Sequence, residues 1–287
     1  MTWHTARFAI DLTRPRVMAI VNVTPDSFSD GGQWPTPAQA LARCEQALRE
    51  GADILDIGGE SSRPGSPPVP LADELARVVP VVREAVKLGV PVSVDTYKAE
   101  VMRAVLDLGA DIVNDIWGLR QPGALDAVTA HPSCGVCLMH MHGEPRTMQV
   151  APMAGDAVPQ VRAFLQARSV ALQAAGVDAV RIAWDPGIGF GKTVEQNFSL
   201  LARQGELLAD GFALLVGWSR KSSLGAVTGE AVGDRLAASV AAAILAVEKG
   251  ARIVRVHDVK DTVSALKVWS AMQAARAGWP GIGQSGS

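Results

Sequence analysis

The stretch GADILDIGG at residues 51–59 joins a glycine to a short apolar run that ends near an aspartate and two further glycines. Its first four residues recur as GADI at 109–112 and, with one change, as GARI at 250–253. A glycine can end a helix in the left-handed conformation, and a nearly continuous apolar run is typical of a strand covered on both faces. The repeated stretch therefore predicts a junction from a helix into a buried parallel strand.

Eight apolar segments of this kind are spaced along the chain, and helix signals lie between them. One such signal is the capping box of Thr36 and Gln39, with Pro37 at the first helical position. Eight strands alternating with helices over roughly 250 residues predict an α/β fold, a single-domain (β/α)8 TIM barrel. A doubly wound open sheet is the structural alternative. The segments are residues 16–24, 52–59, 91–96, 111–116, 135–141, 180–187, 212–219 and 251–259.

The barrel is expected to occupy residues 16–277, because no internal linker is visible in the sequence. Residues 1–15 precede the first predicted strand, and we expect a short hairpin there that closes the bottom of the barrel. Residues 278–287, GWPGIGQSGS, are rich in glycine and serine. Such a composition predicts a disordered tail.

Composition and charge restrict the class of protein. The 287 residues carry a formal net charge of −2, which gives no electrostatic reason to expect a nucleic-acid partner. The first residues lack the profile of a signal peptide, and the longest apolar run, residues 236–247, is too short to span a bilayer. Three cysteines, an odd number, indicate a reducing compartment. We therefore expect a cytoplasmic protein without a membrane segment.

Two patterns raise the question of metal or redox chemistry. Cys134 and Cys137 have the spacing of a metal-binding or redox pair, but no second pair exists. They fall at the start of a predicted strand, far from the expected site, so buried thiols are favoured. His140 and His142 share a face of that strand, yet no carboxylate accompanies them at a metal-binding spacing.

Polar residues stand at the carboxyl end of nearly every predicted strand. In a (β/α)8 barrel the chemistry takes place at these ends. A single one of these residues could cap a turn or lie satisfied in the core. Because burying many of them together costs free energy unless they find partners, their convergence predicts a ligand site. They are Asn22, Asp56, Asp95, Asn114, Asp115, His140, Asp185, Ser219, Lys221, Arg255 and His257.

The stretch DPGIGFGKT at residues 185–193 has the look of a nucleotide-binding loop. A phosphate-binding P-loop requires a glycine where Pro186 stands, and a dinucleotide fingerprint requires one where Lys192 stands. Both interpretations fail on spacing. What remains is a strand that ends in Asp185, whose carboxylate can accept two parallel hydrogen bonds from a ring such as a 2-aminopyrimidinone. The glycines allow a flat ligand to approach the backbone.

Six motifs, spread over residues 17–269 in a fixed order, resemble those of the bacterial dihydropteroate synthases. The resemblance implies a TIM barrel that joins 6-hydroxymethyl-7,8-dihydropterin diphosphate to 4-aminobenzoate, releasing diphosphate and forming 7,8-dihydropteroate for folate synthesis. It also implies a magnesium cofactor (Mg2+), a homodimer and a target of sulfonamides. The motifs are NVTPDSFSDGG (22–32), DIGGESSRPG (56–65), LMHMHGEPRTMQ (138–149), DPGIGFGKT (185–193), GWSRKSSLG (217–225) and RVHDV (255–259).

The same resemblance implies a role for individual residues. The catalytic group is Asn22, Lys221, Arg255 and His257. The pterin pocket is Asp95, Asn114, Asp185 and Lys221. The diphosphate site is Asn22, Ser62, Arg63, Arg255 and His257, with Asn22 also a ligand of Mg2+. The groups around 4-aminobenzoate are Phe28, Ser62, Arg63, Pro64, Phe190 and Ser219.

The chain departs from the family pattern in two places. Residue 62 is a serine where many members have threonine, and the loop at 114–123 is poorer in glycine, which puts the rim near Trp117 in doubt. A pterin-binding methyltransferase domain is the alternative function, although it would not need SSRPG or RVHDV. A non-catalytic pterin-binding protein would be expected to have lost loop groups. For Arg255, the alternative role is a salt bridge with a neighbouring acid such as Asp258.

Overall fold

Eight parallel strands close into a barrel in the computed structural model, which describes residues 1–24, 36–63 and 65–276. The strands follow one another in sequence order, and the last pairs with the first. The (β/α)8 barrel is confirmed, and the open doubly wound sheet is excluded. The barrel strands are β3 (Arg16–Asn22), β4 (Ile54–Gly58), β5 (Val92–Asp95), β6 (Ile112–Asp115), β7 (Gly135–Met139), β8 (Ile182–Asp185), β9 (Ala213–Val216) and β10 (Ile253–Val256).

Helices surround the barrel, and at least one follows each strand. Helix α1 begins at the predicted capping box, in which Thr36 and Gln39 bond to each other's backbone. No helix in the described ranges is long and apolar enough to cross a membrane. The helices are α1 (Pro37–Glu50), α2 (Leu71–Ala85), α3 (Ala99–Asp107), α4 (Ala124–Thr129), α5 (Ala157–Ala174), α6 (Val194–Ala202), α7 (Gly205–Leu208), α8 (Ser222–Thr228), α9 (Leu236–Glu248) and α10 (Val259–Arg276).

The three repeated junctions have one geometry. Gly51, Gly109 and Gly250 adopt φ angles of 101°, 96° and 99°, which glycine reaches without the cost that a Cβ would add. In each case the next residue, an alanine, donates its N–H to the helix carbonyl five residues earlier, at 2.9–3.0 Å. This Schellman arrangement ends the helix and turns the chain into the following strand.

The interior of the barrel is apolar at the bottom and polar at the top. Ile54, Ile112 and Ile253 belong to the bottom cluster, which a two-stranded ribbon of β1 (Thr2–His4) and β2 (Ala9–Asp11) covers through Trp3. Because residues two apart on a strand share a face, the next inward side chains are polar. These are Asp56, Asn114 and Arg255, each two residues after one of the isoleucines. The alternation thus places charged groups at the carboxyl ends of the strands.

Candidate active site

A cavity of about 400 Å³ opens at the carboxyl ends of the strands. Every residue in the described ranges to which the resemblance assigns a role lines it, whereas Phe28 and Pro64 lie outside those ranges. The prediction that these side chains converge at one end of the barrel agrees with this arrangement. They are Asn22, Ser62, Arg63, Asp95, Asn114, Asp185, Phe190, Ser219, Lys221, Arg255 and His257. Three of the polar residues at the strand ends, Asp56, Asp115 and His140, do not line the cavity.

Asp185 is a largely buried carboxylate in the wall of this cavity. Its Oδ1 accepts a hydrogen bond from the N–H of Gly187 at 2.7 Å, and no other hydrogen bond to it occurs within the described residues. Burial raises the pKa of Asp185, while the bond from Gly187 and the charge of Lys221 oppose that rise. The carboxylate therefore keeps capacity to accept hydrogen bonds from a ligand.

The glycine-rich turn after β8 packs against the residue that follows β7. Gly187 has a φ of 66°, and a Cβ there would overlap the carbonyl oxygen of His140. The ammonium of Lys192, 3% exposed, donates to the carbonyl oxygens of His140, Gly187 and Phe190 at 3.2, 2.8 and 3.1 Å. Burial lowers the pKa of Lys192 to about 7. Lys192 thus holds the turn in place and is not available as a phosphate-binding lysine.

One side of the cavity combines an apolar wall with a cation. Phe190 packs in a cluster with Ile116, Met139 and Met148. The last three residues were not predicted from the sequence, because an apolar side chain carries no chemical signature. The ammonium of Lys221 lies 4.2 Å from the centroid of the Phe190 ring, a cation–π contact. Burial lowers the pKa of Lys221 to about 8. A flat, polar ring fits between such a wall and such a donor.

Arg255 forms two salt bridges inside the barrel. Its Nε donates to Oδ2 of Asp56 at 2.6 Å, and its Nη2 donates to Oδ2 of Asp95 at 2.7 Å. Burial disfavours the charge of the guanidinium, but the two carboxylates outweigh it and raise the pKa of Arg255. Asp258, the partner considered from the sequence, pairs instead with Arg220. The alternative considered from the sequence, a salt bridge of Arg255 with a neighbouring acid, is therefore wrong in naming Asp258, although Arg255 does pair with two other acids.

His257 and Ser219 form a local pair. The hydroxyl of Ser219 accepts from the backbone N–H of His257 at 3.2 Å and lies 3.0 Å from its Nδ1. Burial and the charges of Arg220 and Arg255 lower the pKa of His257 to about 3, so the ring is neutral at pH 7. Because the hydroxyl already accepts one hydrogen, it can donate its own to Nδ1, and the ring proton then resides on Nε2. His257 thereby becomes a hydrogen-bond donor for a ligand.

The rim near residues 60–120 is built from charged networks. Glu60 accepts from Val69 N at 3.1 Å and from the hydroxyl of Tyr97 at 2.9 Å, and its other neighbour is the ammonium of Lys98. Asp115 caps the next turn, as one interpretation of the sequence had it, by accepting from the N–H groups of Trp117 and Leu119 at 2.7 Å. These hydrogen bonds hold the loops that follow β4 and β6 in place at the rim of the cavity.

Of the residues that the sequence raised for metal or redox chemistry, Cys134, Cys137 and His140 are buried, whereas His142 is exposed. Cys134 and Cys137 are free thiols with no exposed surface, and burial raises the pKa of each. His140 packs edge-on against Phe164, with ring centroids 5.0 Å apart, and burial lowers the pKa of His140 to about 2. Within the described residues, no group of three or more His, Cys, Asp or Glu side chains could hold a metal ion.

Comparison with known proteins agrees with this geometry. Residues 18–257 match the family model described as "Pterin binding enzyme". A dihydropteroate synthase of Neisseria meningitidis serogroup B is 51% identical, with 94% of this chain and 97% of that protein covered. A Burkholderia cenocepacia dihydropteroate synthase complexed with 7,8-dihydropteroate is 54% identical at a TM-score of 0.88, covering 96% of this chain and 98% of the other. A Yersinia pestis dihydropteroate synthase with a sulfonamide drug complex is 44% identical at a TM-score of 0.91, covering 96% and 100%.

Proposed function

The chain belongs to the dihydropteroate synthase family of pterin-binding enzymes and catalyses the reaction of that family, and we propose how its residues divide the work. The reaction joins the amine of 4-aminobenzoate to the methylene carbon of 6-hydroxymethyl-7,8-dihydropterin diphosphate, forming 7,8-dihydropteroate. Diphosphate leaves as the carbon–nitrogen bond forms. The observation that carries the proposal is a cavity lined by the carboxylates of Asp95 and Asp185 together with Arg255 and His257.

The chemistry sets three tasks for the protein. An aromatic amine is neutral at pH 7, so it needs no general base to become a nucleophile. The difficult event is the departure of diphosphate from carbon, which the electron-rich pterin ring eases by stabilising positive charge. The site must therefore hold the ring, stabilise the leaving group and exclude water.

We assign the pterin ring to Asp95, Asn114, Asp185 and Lys221. The carboxylates of Asp95 and Asp185 are acceptors for the ring's N–H groups, and the ammonium of Lys221 is a donor for its carbonyl and ring nitrogens. The partial burial of these groups supports the assignment, because hydrogen bonds strengthen where water is excluded. Phe190, beside Lys221, supplies an apolar face for the ring plane.

The leaving diphosphate is assigned to Asn22, Ser62, Arg63, Arg255 and His257. Asn22 ends β3 and Arg255 lies in β10, and these two strands are neighbours in the closed barrel. Arg255 provides a permanent charge and a fork that suits phosphate oxygens, and the Nε2–H of His257 adds a neutral donor.

A magnesium ion fits this chemistry as a companion of the diphosphate. Mg2+ is commonly held by one or two protein oxygens together with substrate phosphates. Asn22 lines the cavity with one amide oxygen, and the described residues contain no carboxylate cluster that would hold the ion alone. When bound, Mg2+ would neutralise charge on the diphosphate. Asn22 would contribute one ligand and keep the diphosphate near Arg255.

The 4-aminobenzoate is assigned to Phe28, Ser62, Arg63, Pro64, Phe190 and Ser219. Phe28 and Pro64 lie outside the described residues, so their part remains a prediction from the sequence. Ser62 and Arg63 line the cavity, and the exposed side chain of Arg63 supports a role with the second substrate. Ser219 lines the same cavity, and its hydroxyl also bonds to His257, which is assigned to the diphosphate.

Pterin binding should depend on pH with two limbs. Burial raises the pKa of Asp95 to about 7 and lowers the pKa of Lys221 to about 8. As the pH falls through the pKa of Asp95, its carboxylate loses its charge and accepts more weakly, and as the pH rises through the pKa of Lys221, the ammonium loses the proton it donates. Calorimetry should therefore show the highest affinity for hydroxymethylpterin between these values. Asp95→Asn should weaken the acidic limb, to which Asp185 also contributes, and leave the basic limb unchanged, whereas an affinity that stays flat from pH 6 to 9 would refute the assignment.

Replacing Cys134 and Cys137 together by alanine should leave turnover near that of the wild type. Both thiols are buried and neither lines the cavity, but Cys137 lies in the middle of β7, in register with Asn114, so the prediction that both lie far from the site is wrong for Cys137. Removing each sulfur costs only packing, about 1 kcal/mol per site as for other small core truncations, so a modest fall in melting temperature is expected. Loss of activity in the double variant, or one zinc per chain in the purified wild type, would overturn this expectation.

A homodimer in the cytoplasm is the proposed state of the protein. Helix α9 leaves Ala237, Ala241 and Leu245 exposed at four-residue spacing, and α10 leaves Val268 and Met272 exposed in the same way. Such apolar rows support burial against a second copy. The three free, buried thiols support a reducing compartment. Sedimentation at twice the 30.1 kDa chain mass would support the dimer, and a monomer at micromolar concentration would contradict it.

The function is tested by following diphosphate release. We expect release only when both the pterin diphosphate and 4-aminobenzoate are present, with 7,8-dihydropteroate formed in equal amount. Release from the pterin diphosphate alone would indicate a hydrolase. Pterin binding without any release, together with methyl transfer from a methylated folate, would instead favour the methyltransferase that was the alternative from the sequence.

A further inference from the structure

Asp56 is a fully buried carboxylate behind the wall of the cavity. It lies in β4, is 0% exposed, and does not itself line the cavity. Its Oδ2 accepts from Nε of Arg255 at 2.6 Å and from Nδ2 of Asn114 at 3.2 Å. Its Oδ1 has no hydrogen-bond partner within the described residues. Asp56 therefore contacts two residues that are assigned to the substrate, Arg255 and Asn114, but does not line the cavity itself.

The bond to Asn114 determines which end of that amide is presented to the cavity. An asparagine amide can rotate so that either its oxygen or its nitrogen points in a given direction. Because Nδ2 of Asn114 donates to Asp56, the amide oxygen Oδ1 is the end left for a ligand. An anion beside the amide excludes the reverse orientation, since two acceptors would then face each other in a buried place. Asp56 thus turns Asn114 into a hydrogen-bond acceptor.

We propose that Asp56 is a positioning residue that determines specificity for the ring, because it fixes Asn114 as an acceptor and so selects a 2-amino over a 2-oxo substituent. The inference rests on the proposed function, in which Asn114 contacts the pterin. A pterin carries an amino donor at C2, and the corresponding 2-oxo ring carries an acceptor there. An Asn114 free to rotate would serve either ring, whereas one held by Asp56 serves only the first.

A purely structural role is the competing explanation. Asp111 offers the matched case, because it is also fully buried and also pairs with an arginine, Arg7, at 2.6 Å. It lies at the opposite end of the barrel, next to the start of β6, and bonds to Val92 N rather than to a site residue. Replacing it should lower stability without altering what the site recognises.

The test compares the affinities for hydroxymethylpterin and its 2-oxo analogue by calorimetry. In Asp56→Leu the ratio of the two affinities should fall about tenfold, which corresponds to about 1.4 kcal/mol. Asp56→Asn keeps an oxygen that can accept from Asn114, so its ratio should stay within about twofold of the wild type. Asp111→Asn should lower the melting temperature and leave the ratio unchanged. Asp56→Ala replaces the leucine variant if the latter does not fold.

A second pair of variants tests whether the effect passes through Asn114. In an Asn114→Ala background, Asp56→Leu should change the ratio no further, as expected for two residues that act as one unit. An unchanged ratio in the leucine and alanine variants, or an equal fall in Asp56→Asn and Asp56→Leu, would overturn the proposal. A wild type that binds both rings equally would also overturn it, whereas a wild type that binds neither ring would contradict the proposed function itself.

Discussion

Replacing Arg255 by alanine should weaken binding of the pterin diphosphate about a hundredfold, while the diphosphate-free hydroxymethylpterin loses far less affinity. Hydrogen bonds to charged groups contribute about 1.5–3 kcal/mol each, and a guanidinium fork makes two of them to phosphate oxygens. Because both ligands carry the same ring, the difference between their affinity losses measures the contribution of Arg255 to binding the diphosphate group. Calorimetry with each ligand measures it.

The melting temperature of this variant does not discriminate between the roles of Arg255. Its removal leaves Asp56 and Asp95 buried without their common partner, and breaking a buried pair costs about 3–5 kcal/mol. Arg255→Lys is the matched control, since it keeps a charge between the two carboxylates but lacks the fork. We expect this variant to keep most of its stability and still bind the diphosphate at least tenfold more weakly. Equal losses for both ligands in both variants would support a purely structural Arg255.

The second large effect is expected for Asp185→Asn, which should lower pterin affinity at least tenfold. An asparagine can still accept from Gly187 N, so the turn after β8 should persist. The other oxygen becomes an NH2 group that faces the donors of the ring, and charged hydrogen bonds of about 1.5–3 kcal/mol each are lost. The melting temperature should change little, because the variant also removes a charge whose burial is unfavourable.

Two outcomes decide the role of Asp185. Asp111→Asn, at the other end of the barrel, serves as the control and should keep wild-type pterin affinity. If Asp185→Asn binds hydroxymethylpterin as well as the wild type does, the carboxylate only caps the glycine-rich turn. If affinity and melting temperature fall together in both aspartate variants, the loss reflects general destabilisation.

Local patterns in the sequence were sufficient to predict the barrel. The helix-to-strand junctions at Gly51, Gly109 and Gly250 depend on residues close in the chain, and so does the capping box at Thr36. The convergence of polar residues followed from the barrel itself, because parallel strands bring their carboxyl ends to one side. The identity of the ligand came from the resemblance to dihydropteroate synthases, because the spacing of the polar residues predicts a ligand site but does not name the ligand.

The pairing of charged residues could not be predicted in the same way. The salt bridge between Arg255 and Asp56 joins residues 199 positions apart, on β10 and β4, which lie on either side of β3 only because the barrel closes. The hydrogen bonds of Lys192 to backbone carbonyls also depend on how two loops pack against each other. The GKT sequence raised only the question of whether Lys192 binds a phosphate. Asp56 itself was recognised as a polar strand residue, but its role depends on the contact with Asn114.

One cavity is proposed to bind the pterin ring through one set of residues and the leaving diphosphate through another, and a crystal structure with hydroxymethylpterin and diphosphate would show both sets of contacts. In that structure we expect the N–H groups of the ring to donate hydrogen bonds to Asp95, Asn114 and Asp185. We also expect the diphosphate oxygens within hydrogen-bond distance of Arg255 and His257. A diphosphate bound at Lys221 and Asp185, with Arg255 contacting neither ligand, would contradict this assignment of residues to the two ligands.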